Sequence, residues 1–437
     1  MSPGIATILL FVTLVLLIFT GVPLAFGIGF SALLVAFFLW GPASVNIVAT
    51  STLGTMLSIV LLAIPLFILM ANFLQRSGIA DDLYGLMYSS LGRLGGGLAV
   101  GTVVICTMFA AMSGISGAGT VTMGLIALPS MLNRGYDRRI AIGCIMAGGA
   151  LGALIPPSVG FIIYGLMSGV SVGKLFAGGI LPGFLLSTLF TIYILIRCRL
   201  NPGMGPALPR EERVPLREVL SQSKSLILPL LLIAGVLGSI FSGIATPTEA
   251  SAVGAFGAMI CAGIYRKLNF SLIKECSNET LKLTAMILWI TTTALWLSTV
   301  YAGIGGRQFV IDLLQNLGVS RWIVLIGIQV LLIILGCFMD GTGIIVITVP
   351  IFLPVIDALG FDPVWFGVLF IMNTEMGFLT PPYGVNLFYM KGVVPPNISM
   401  TDIYKSVAPF VLLQLTGLII VMLVPEIALL LPTLIFG

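Results

Sequence analysis

Two proline pairs constrain this chain more than any other feature. The first lies in Gly148–Tyr164, GGALGALIPPSVGFIIY, and the second in Thr374–Asn386, TEMGFLTPPYGVN, so that Pro381-Pro382 follows Pro156-Pro157 by 225 positions. Both stretches are apolar enough for a membrane, yet proline lacks the N–H that a helix interior needs and its ring crowds the preceding turn. Each helix must therefore break at its pair. Carbonyls freed by such a break persist at membrane depth only where protein, water or an ion satisfies them. Interrupted spans at matching places in two halves of a chain point to a carrier with its site at the repeat interface.

Composition fixes the surroundings of these breaks. Of 437 residues, 58% are hydrophobic and 8% charged, whereas soluble domains carry roughly 25% charged residues. The expected fold class is an all-α polytopic membrane protein. Its 52 glycines and 24 prolines suit close helix contacts and irregular backbone within the bilayer. There is no histidine, and Cys106, Cys144, Cys198, Cys261, Cys276 and Cys337 are scattered without a CxxC. Zinc clusters, histidine-ligated haem and Ser-His catalysis are thus unsupported or excluded. The basic residues are dispersed rather than gathered in a stripe, which argues against nucleic acid as a partner.

Apolar runs of about 20 residues are long enough to cross a 30 Å hydrocarbon core. In chain order they predict spans at Ile5–Phe19, Leu24–Leu39 and about Leu53–Phe73, with Asp81 and Asp82 in a loop. Gly95–Leu132 is too glycine-rich for one span and reads as two half-length helices meeting at Ser113–Gly119. Ile140–Leu166 is the first broken span, and Phe176–Ile196 closes residues 1–200, the first repeat. Arg197–Lys224 is polar and proline-rich, so residues 201–224 read as a cytoplasmic linker. Residues 225–437 repeat the pattern: Ser225–Phe241, Pro247–Tyr265, a charged connection Arg266–Lys282, Leu283–Gly303, a second hairpin in Ile323–Ile356, the broken span Trp365–Lys391, and Val407–Leu431 as the last span or a span with a kinked end at Pro425.

The total is about ten transmembrane helices plus two re-entrant hairpins, with an odd number of crossings per half. Consecutive repeats are then inverted, as in inverted-repeat transporters. A cytoplasmic linker also puts most Lys and Arg on that side, leaving Lys174, Arg307 and Arg321 outside, and so predicts periplasmic termini. A transport domain is expected from residues 95–166 and 323–391, with the other spans as scaffold.

Candidate site residues gather at the tips and breaks. Hydroxyls and freed carbonyls are hard oxygen donors, so one sodium site is expected between Ser113–Gly117, with Ser116, and Gly152–Pro157. Met112-Ser113-Gly114 aligns with Met339-Asp340-Gly341, and Leu154–Pro157 with Leu379–Pro382. The second repeat accordingly offers Asp340, Thr342, Gly377 and Thr380. Interhelical hydrogen bonding is the competing role for the serines, and a wet hairpin mouth would equally accommodate Asp340. Glu249 and Glu375 suit ion access or hairpin stabilisation, while Thr246 followed by Glu249 also reads as a capping box. Between the tips, Gly117, Thr120, Thr122, Ser158, Gly343 and Asn386 are the substrate candidates, with glycine-flanked N–H groups favouring a carboxylate.

MSGISGAGTVTMG, GALGALIPPS, GIATPTEA and GFLTPPYGVN, in this order over essentially the whole chain, resemble recurrent segments of the DctM-like large permease subunit of tripartite ATP-independent periplasmic (TRAP) transporters. The resemblance implies a sodium-driven elevator carrier of the ion-transporter superfamily in the bacterial inner membrane, coupled to two or more sodium ions. It further implies an organic anion as substrate, a small membrane subunit, a soluble extracytoplasmic binding protein and contact with membrane lipid. In that family the first tip and break form one sodium site, here Ser113, Ser116, Gly152 and Pro156; the second corresponds to Asp340–Gly343 and Gly377–Pro381. A proton-coupled carrier using the carboxylates is the alternative. An intramembrane enzyme or a passive channel fits less well, because histidine is absent and the two hairpin–break pairs are reciprocal.

Overall fold

The computed structural model describes residues 2–209 and 224–437, and its regular structure is α-helical with short 3₁₀ turns. The first half of the chain holds α1 (Pro3–Phe19), α2 (Leu24–Trp40), α3 (Val45–Met56), α4 (Ala63–Arg76), α5 (Ile79–Leu91), α6 (Gly97–Ser113), α7 (Ser116–Asn133), α8 (Arg138–Ala150), α9 (Val159–Ser168) and α10 (Val172–Leu200). The second holds α11 (Lys224–Phe241), α12 (Pro247–Ile264), α13 (Phe270–Gly303), α14 (Gly306–Leu317), α15 (Arg321–Gly336), α16 (Gly341–Ala358), α17 (Pro363–Gly377), α18 (Val385–Val393), α19 (Met400–Leu423) and α20 (Glu426–Phe436). Among the described residues, seven helical stretches are long and apolar enough to cross a membrane, accompanied by shorter apolar helices. The chain is a polytopic membrane protein.

Several boundaries differ from the sequence expectation. Leu53–Phe73 is not one span: α3 ends at Met56, a 3₁₀ turn covers Ile59–Leu62, and α4 begins at Ala63, two residues before Pro65. Proline at that early position is tolerated because its missing N–H would lack an intrahelical partner anyway. Asp81 and Asp82 lie in α5 rather than in a loop, in the first turn where carboxylates suit the helix dipole. The charged connection at 266–282 is largely the start of α13, a continuous 34-residue helix begun by the Asn269 side chain, which accepts from Leu272 N–H. The limbs meeting at the tips are longer than half-length, at 17 and 18 residues in α6 and α7. Burial against α8 holds the glycine-rich start of α7 helical despite its weak propensity. The last span ends at Leu423, and Pro425 opens a separate α20.

The two halves of the chain pack reciprocally. α4 lies against α12 while α2 lies against α13, and α4 and α13 meet each other. Asn72 Nδ2 donates to Thr280 Oγ1 at 3.0 Å across that last contact, and Trp296 Nε1 donates to Thr52 Oγ1 at 3.1 Å between α13 and α3. A second body surrounds α8. Every residue from Ile140 to Ala150 is buried, touched by α6, α7 and α19. Without a hydrophobic drive between helices in lipid, such contact depends on small residues that let backbones approach. Gly143 faces Phe410, Gly148 faces Cys106, and Gly149 faces Thr120, leaving no room for a side chain at any of the three.

The interval expected as a linker is partly ordered structure. Arg197–Leu200 belong to α10, and residues 201–208 run across the base of α6 and α7. Gly96 N–H donates to Gly205 O at 2.8 Å, Leu208 N–H to Gly92 O at 2.7 Å and Asp137 N–H to Met204 O at 3.0 Å. The remainder of the expected linker, 210–223, lies outside the described residues.

Candidate functional site

Each tip is made by a helix that stops and another that starts within a few residues. α6 ends because Gly114 adopts φ +62°, a left-handed conformation that glycine enters without steric cost. Ile115 turns back to extended geometry and α7 begins at Ser116. In the second half, α15 ends at Gly336 and the Asp340 carboxylate accepts from Gly343 N–H at 3.3 Å, capping α16. Opposite the first tip, α8 gives way to a 3₁₀ turn at Leu151–Ala153 and the chain passes Pro156-Pro157 before α9. Opposite the second, α17 ends at Gly377 and α18 starts at Val385, with Pro381-Pro382 between them. Both proline pairs are joined by cis peptide bonds.

Tips and breaks touch through backbone. Val159 N–H donates to Gly114 O at 3.2 Å, and a methyl added at Gly152 would stand 2.7 Å from Ile115 O. In the second half, Tyr383 N–H donates to Cys337 O at 3.2 Å, and Gly336 meets Gly377 so closely that a methyl on either would lie within 2.9 Å of the other's Cα. The outgoing limbs also cross over: α7 packs on α18, and α16 packs on α9. Ser116 Oγ donates to Asn386 Oδ1 at 3.4 Å, joining residues 270 positions apart.

These four elements border a half-open cavity of about 170 Å³, lined among others by Gly114, Ser116, Gly117, Asp340 and Thr342. Leu283, Met286 and Ile287 of α13 form its outer wall. Asp340 is the one charged side chain among its lining residues, and no Lys or Arg among the described residues lines it.

The expected site residues separate into three groups. Ser116, Gly117, Asp340 and Thr342 line the cavity. Ser113, Gly152, Pro156, Thr120 and Asn386 are buried just behind it in the tips and breaks or their adjoining helices; Thr120 Oγ1 and Asn386 Nδ2 have no hydrogen-bond partner. Ser113 Oγ donates to Ile115 O at 3.2 Å. The rest are engaged elsewhere: Ser158 Oγ donates to Ala153 O and caps α9, Thr380 Oγ1 donates to Met376 O at 2.8 Å, Gly377 faces Gly336, Gly343 faces Leu24 of α2, and Thr122 is half-buried outside the cavity lining.

Two buried polar pairs flank the second break. Glu375 Oε1 accepts from Gln414 Nε2 at 2.9 Å, and Asn373 Nδ2 donates to Gln329 Oε1 at 2.7 Å. They tie α17 to α19 and to α15, respectively. Thr374 and Tyr389 line the cavity without a sequence signal, since each reads as an ordinary helix residue. Glu249 completes a capping box with Thr246, whose N–H donates to Glu249 Oε2 at 2.8 Å.

Paired tips and broken helices around one half-open cavity define a membrane transporter rather than an enzyme. The chain belongs to the DctM family: the DctM component of the tripartite ATP-independent periplasmic transporter matches residues 11–427. It is 36% identical over 455 residues to the C4-dicarboxylate TRAP transporter large permease protein DctM of Vibrio cholerae, covering 99% of this chain and 98% of that one. The sialic acid TRAP transporter large permease protein SiaM of the same organism is 32% identical, over 96% and 97% of the two chains. The ectoine permease TeaC of Halomonas elongata is 32% identical, over 86% and 87%. The fold is similar to the Alcanivorax borkumensis YdaH transporter, with a TM-score of 0.59 at 18% identity over 90% of this chain and 87% of that one.

Proposed function

We propose that this chain is the sodium-coupled permease of a TRAP transporter, taking up an organic anion delivered by an extracytoplasmic binding protein and working with a small membrane subunit. The observation that carries the reading is the single cavity bounded by both tips and both breaks, bridged by Ser116 and Asn386. Sodium takes oxygen ligands from unwound backbone and hydroxyls. Ser113, Ser116 and the carbonyls around Gly152 and Pro156 fit that requirement in the first repeat, and the partnerless Thr120 hydroxyl lies beside them. Asp340 and Thr342 fit it in the second. Two sodium ions would offset both the solute carboxylate and Asp340, which an apolar wall alone would leave unbalanced.

The tips and breaks, residues 95–166 and 323–391, form the core of the moving body, and α10 and α19 pack on it. The α2–α4 and α11–α13 layer is the scaffold, reached by the cavity only through α13. Carrying an enclosed site past such a layer avoids passing a bare anion through lipid. The protein resides in the bacterial inner membrane among its lipids, with both termini periplasmic. The C4-dicarboxylate and sialic acid permeases among its relatives support an organic acid as cargo.

The test is uptake into proteoliposomes holding both membrane subunits, with loaded binding protein outside. An inward sodium gradient should drive accumulation, and Ser113→Ala with Ser116→Ala should lower the apparent sodium affinity. Accumulation driven equally by a proton gradient without sodium would replace this reading with proton coupling.

A further inference from the structure

Two polar grooves open where α7 stops and α8 starts. One, lined by Tyr136, Asp137, Arg138, Arg139, Asp402 and Ser406, mixes cations with acids. The other lies between α5 and α7, has a volume of about 600 Å³ and is lined by Tyr84, Tyr88, Ser130, Asn133 and Arg134. Its lining residues comprise one cation and four neutral side chains able to donate hydrogen bonds, with no carboxylate among them. Such a set suits an anion with several acceptor oxygens.

Local geometry fixes the cation. The Arg134 guanidinium lies over the Tyr88 ring, 5.1 Å from its centroid, and Tyr84, one turn earlier on α5, lies beside Tyr88 with the two centroids 6.3 Å apart. A guanidinium over a ring is held by its face, while its N–H donors lie along its edge in the planar fork that matches phosphate oxygens. The end of a helix ordinarily opposes an anion through its partial negative charge. Here Met131 O accepts from Arg134 and Tyr136 N–H, and Leu132 O from Gly135 N–H, so the last turn of α7 is answered by its own backbone.

The adjoining surface identifies what carries the anion. Leu125, Pro129 and Asn133 recur at four-residue intervals, share one face of α7 and are all exposed. Over about 12 Å this stripe passes from apolar to polar as it reaches the groove. A free phosphate gains nothing from Leu125 and Pro129, whereas an acyl chain gains from covering them. Tyrosine and arginine also belong at headgroup level, and basic pockets between helices receive anionic headgroups there.

We propose that the groove between α5 and α7 binds one anionic phospholipid, its phosphate at Arg134 and Asn133 and an acyl chain along Pro129 and Leu125. Because α5 connects α4 to α6 and packs on both α6 and α7, the lipid fastens this connecting helix to the tip-bearing body. The site is independent of the coupling ion and of the solute.

The experiment is native mass spectrometry of the delipidated full chain titrated with dioleoylphosphatidylglycerol, zwitterionic dioleoylphosphatidylcholine or the water-soluble headgroup glycerophosphoglycerol. Phosphatidylglycerol should bind about fivefold more tightly than phosphatidylcholine, and Arg134→Gln should remove that advantage. Asn133→Leu, at an exposed position that leaves the core untouched, should weaken phosphatidylglycerol binding about fivefold through a lost hydrogen bond. Arg139→Gln, a cation of the neighbouring groove, should leave binding unchanged. Equal affinity for the two lipids, equal loss from Arg139→Gln and Arg134→Gln, or unaltered binding in both Arg134→Gln and Asn133→Leu overturns the site. Displacement of the lipid by glycerophosphoglycerol assigns the groove to a soluble phosphate and refutes the lipid. Leu125→Gln should weaken binding of the lipid, and unchanged binding refutes the acyl path.

Discussion

Replacing Gly336 or Gly377 with alanine tests how the second tip is held against its broken helix. A Cβ on Gly336 would stand 2.9 Å from Gly377 Cα, and one on Gly377 would stand 2.8 Å from Gly336 Cα. Carbon atoms pack at about 3.5–4.0 Å, so α15 and α17 would have to separate by roughly 1 Å. The obstacle is backbone on both sides, and no flexible side chain can yield. Overpacking of this kind costs about 1–3 kcal/mol. Gly327 on the same helix is the control, because nothing lies within 4 Å of its added Cβ. There, alanine should stabilise the helix by up to about 1 kcal/mol through propensity alone. Thermal unfolding of the purified protein in lipid nanodiscs should show opposite shifts for the two sites, and uptake should fall only for Gly336→Ala and Gly377→Ala. Equal shifts at Gly327 and Gly336 would refute the close backbone contact.

Ser116→Ala removes the donor to Asn386 and should weaken sodium-dependent uptake, with a stability loss of about 1 kcal/mol, the usual worth of one hydrogen bond; sodium titration of uptake checks the first and thermal unfolding the second. Asp340→Asn keeps the shape of the α16 cap while removing its charge, so the helix should persist by circular dichroism while sodium dependence changes; unchanged coupling assigns Asp340 a purely structural role. Gln414→Leu deprives the buried Glu375 of its hydrogen-bond partner and should destabilise by about 1–3 kcal/mol, whereas Glu375→Gln, which can retain an amide contact, should cost less in the same unfolding assay.

The proline pairs and the glycine tips were legible because they are local: a residue that cannot continue a helix declares itself without reference to its neighbours. Gly114 and Asp340 mark the ends of helices in the sequence as they do in the fold. The separate α3 was hidden because only its end, Leu53–Met56, joins the apolar run that follows, while Asn46, Thr50, Ser51 and Thr52 interrupt the apolar residues before it. α5 was hidden by its acids, which read as solvated loop until their place in a first helical turn is known. The outer wall of the cavity could not be read at all, since Leu283, Met286 and Ile287 sit in an unremarked stretch of α13 and reach the tips only through tertiary packing. The pairs Glu375–Gln414 and Asn373–Gln329 span 39 and 44 positions and follow no short spacing rule. Conversely, hydroxyls at Ser158 and Thr380 promised ligands from their position beside the prolines, but both donate to nearby backbone carbonyls, a competition that sequence spacing cannot rank.

The central claim is that the cavity between the two tips is the site that alternates across the membrane. A single cysteine at Thr342, which lines the cavity, can report this in a background where the half-buried Cys337 is replaced by alanine and the other five cysteines remain buried. Its labelling by a membrane-impermeant thiol reagent should be measured from each side in proteoliposomes, with and without sodium and with the domains trapped by crosslinks between the tip-bearing body and α13. Labelling should switch sides between traps and fall when sodium and solute are bound. Accessibility from one side in every transport-competent state, or full uptake with the two bodies crosslinked rigidly, would contradict it.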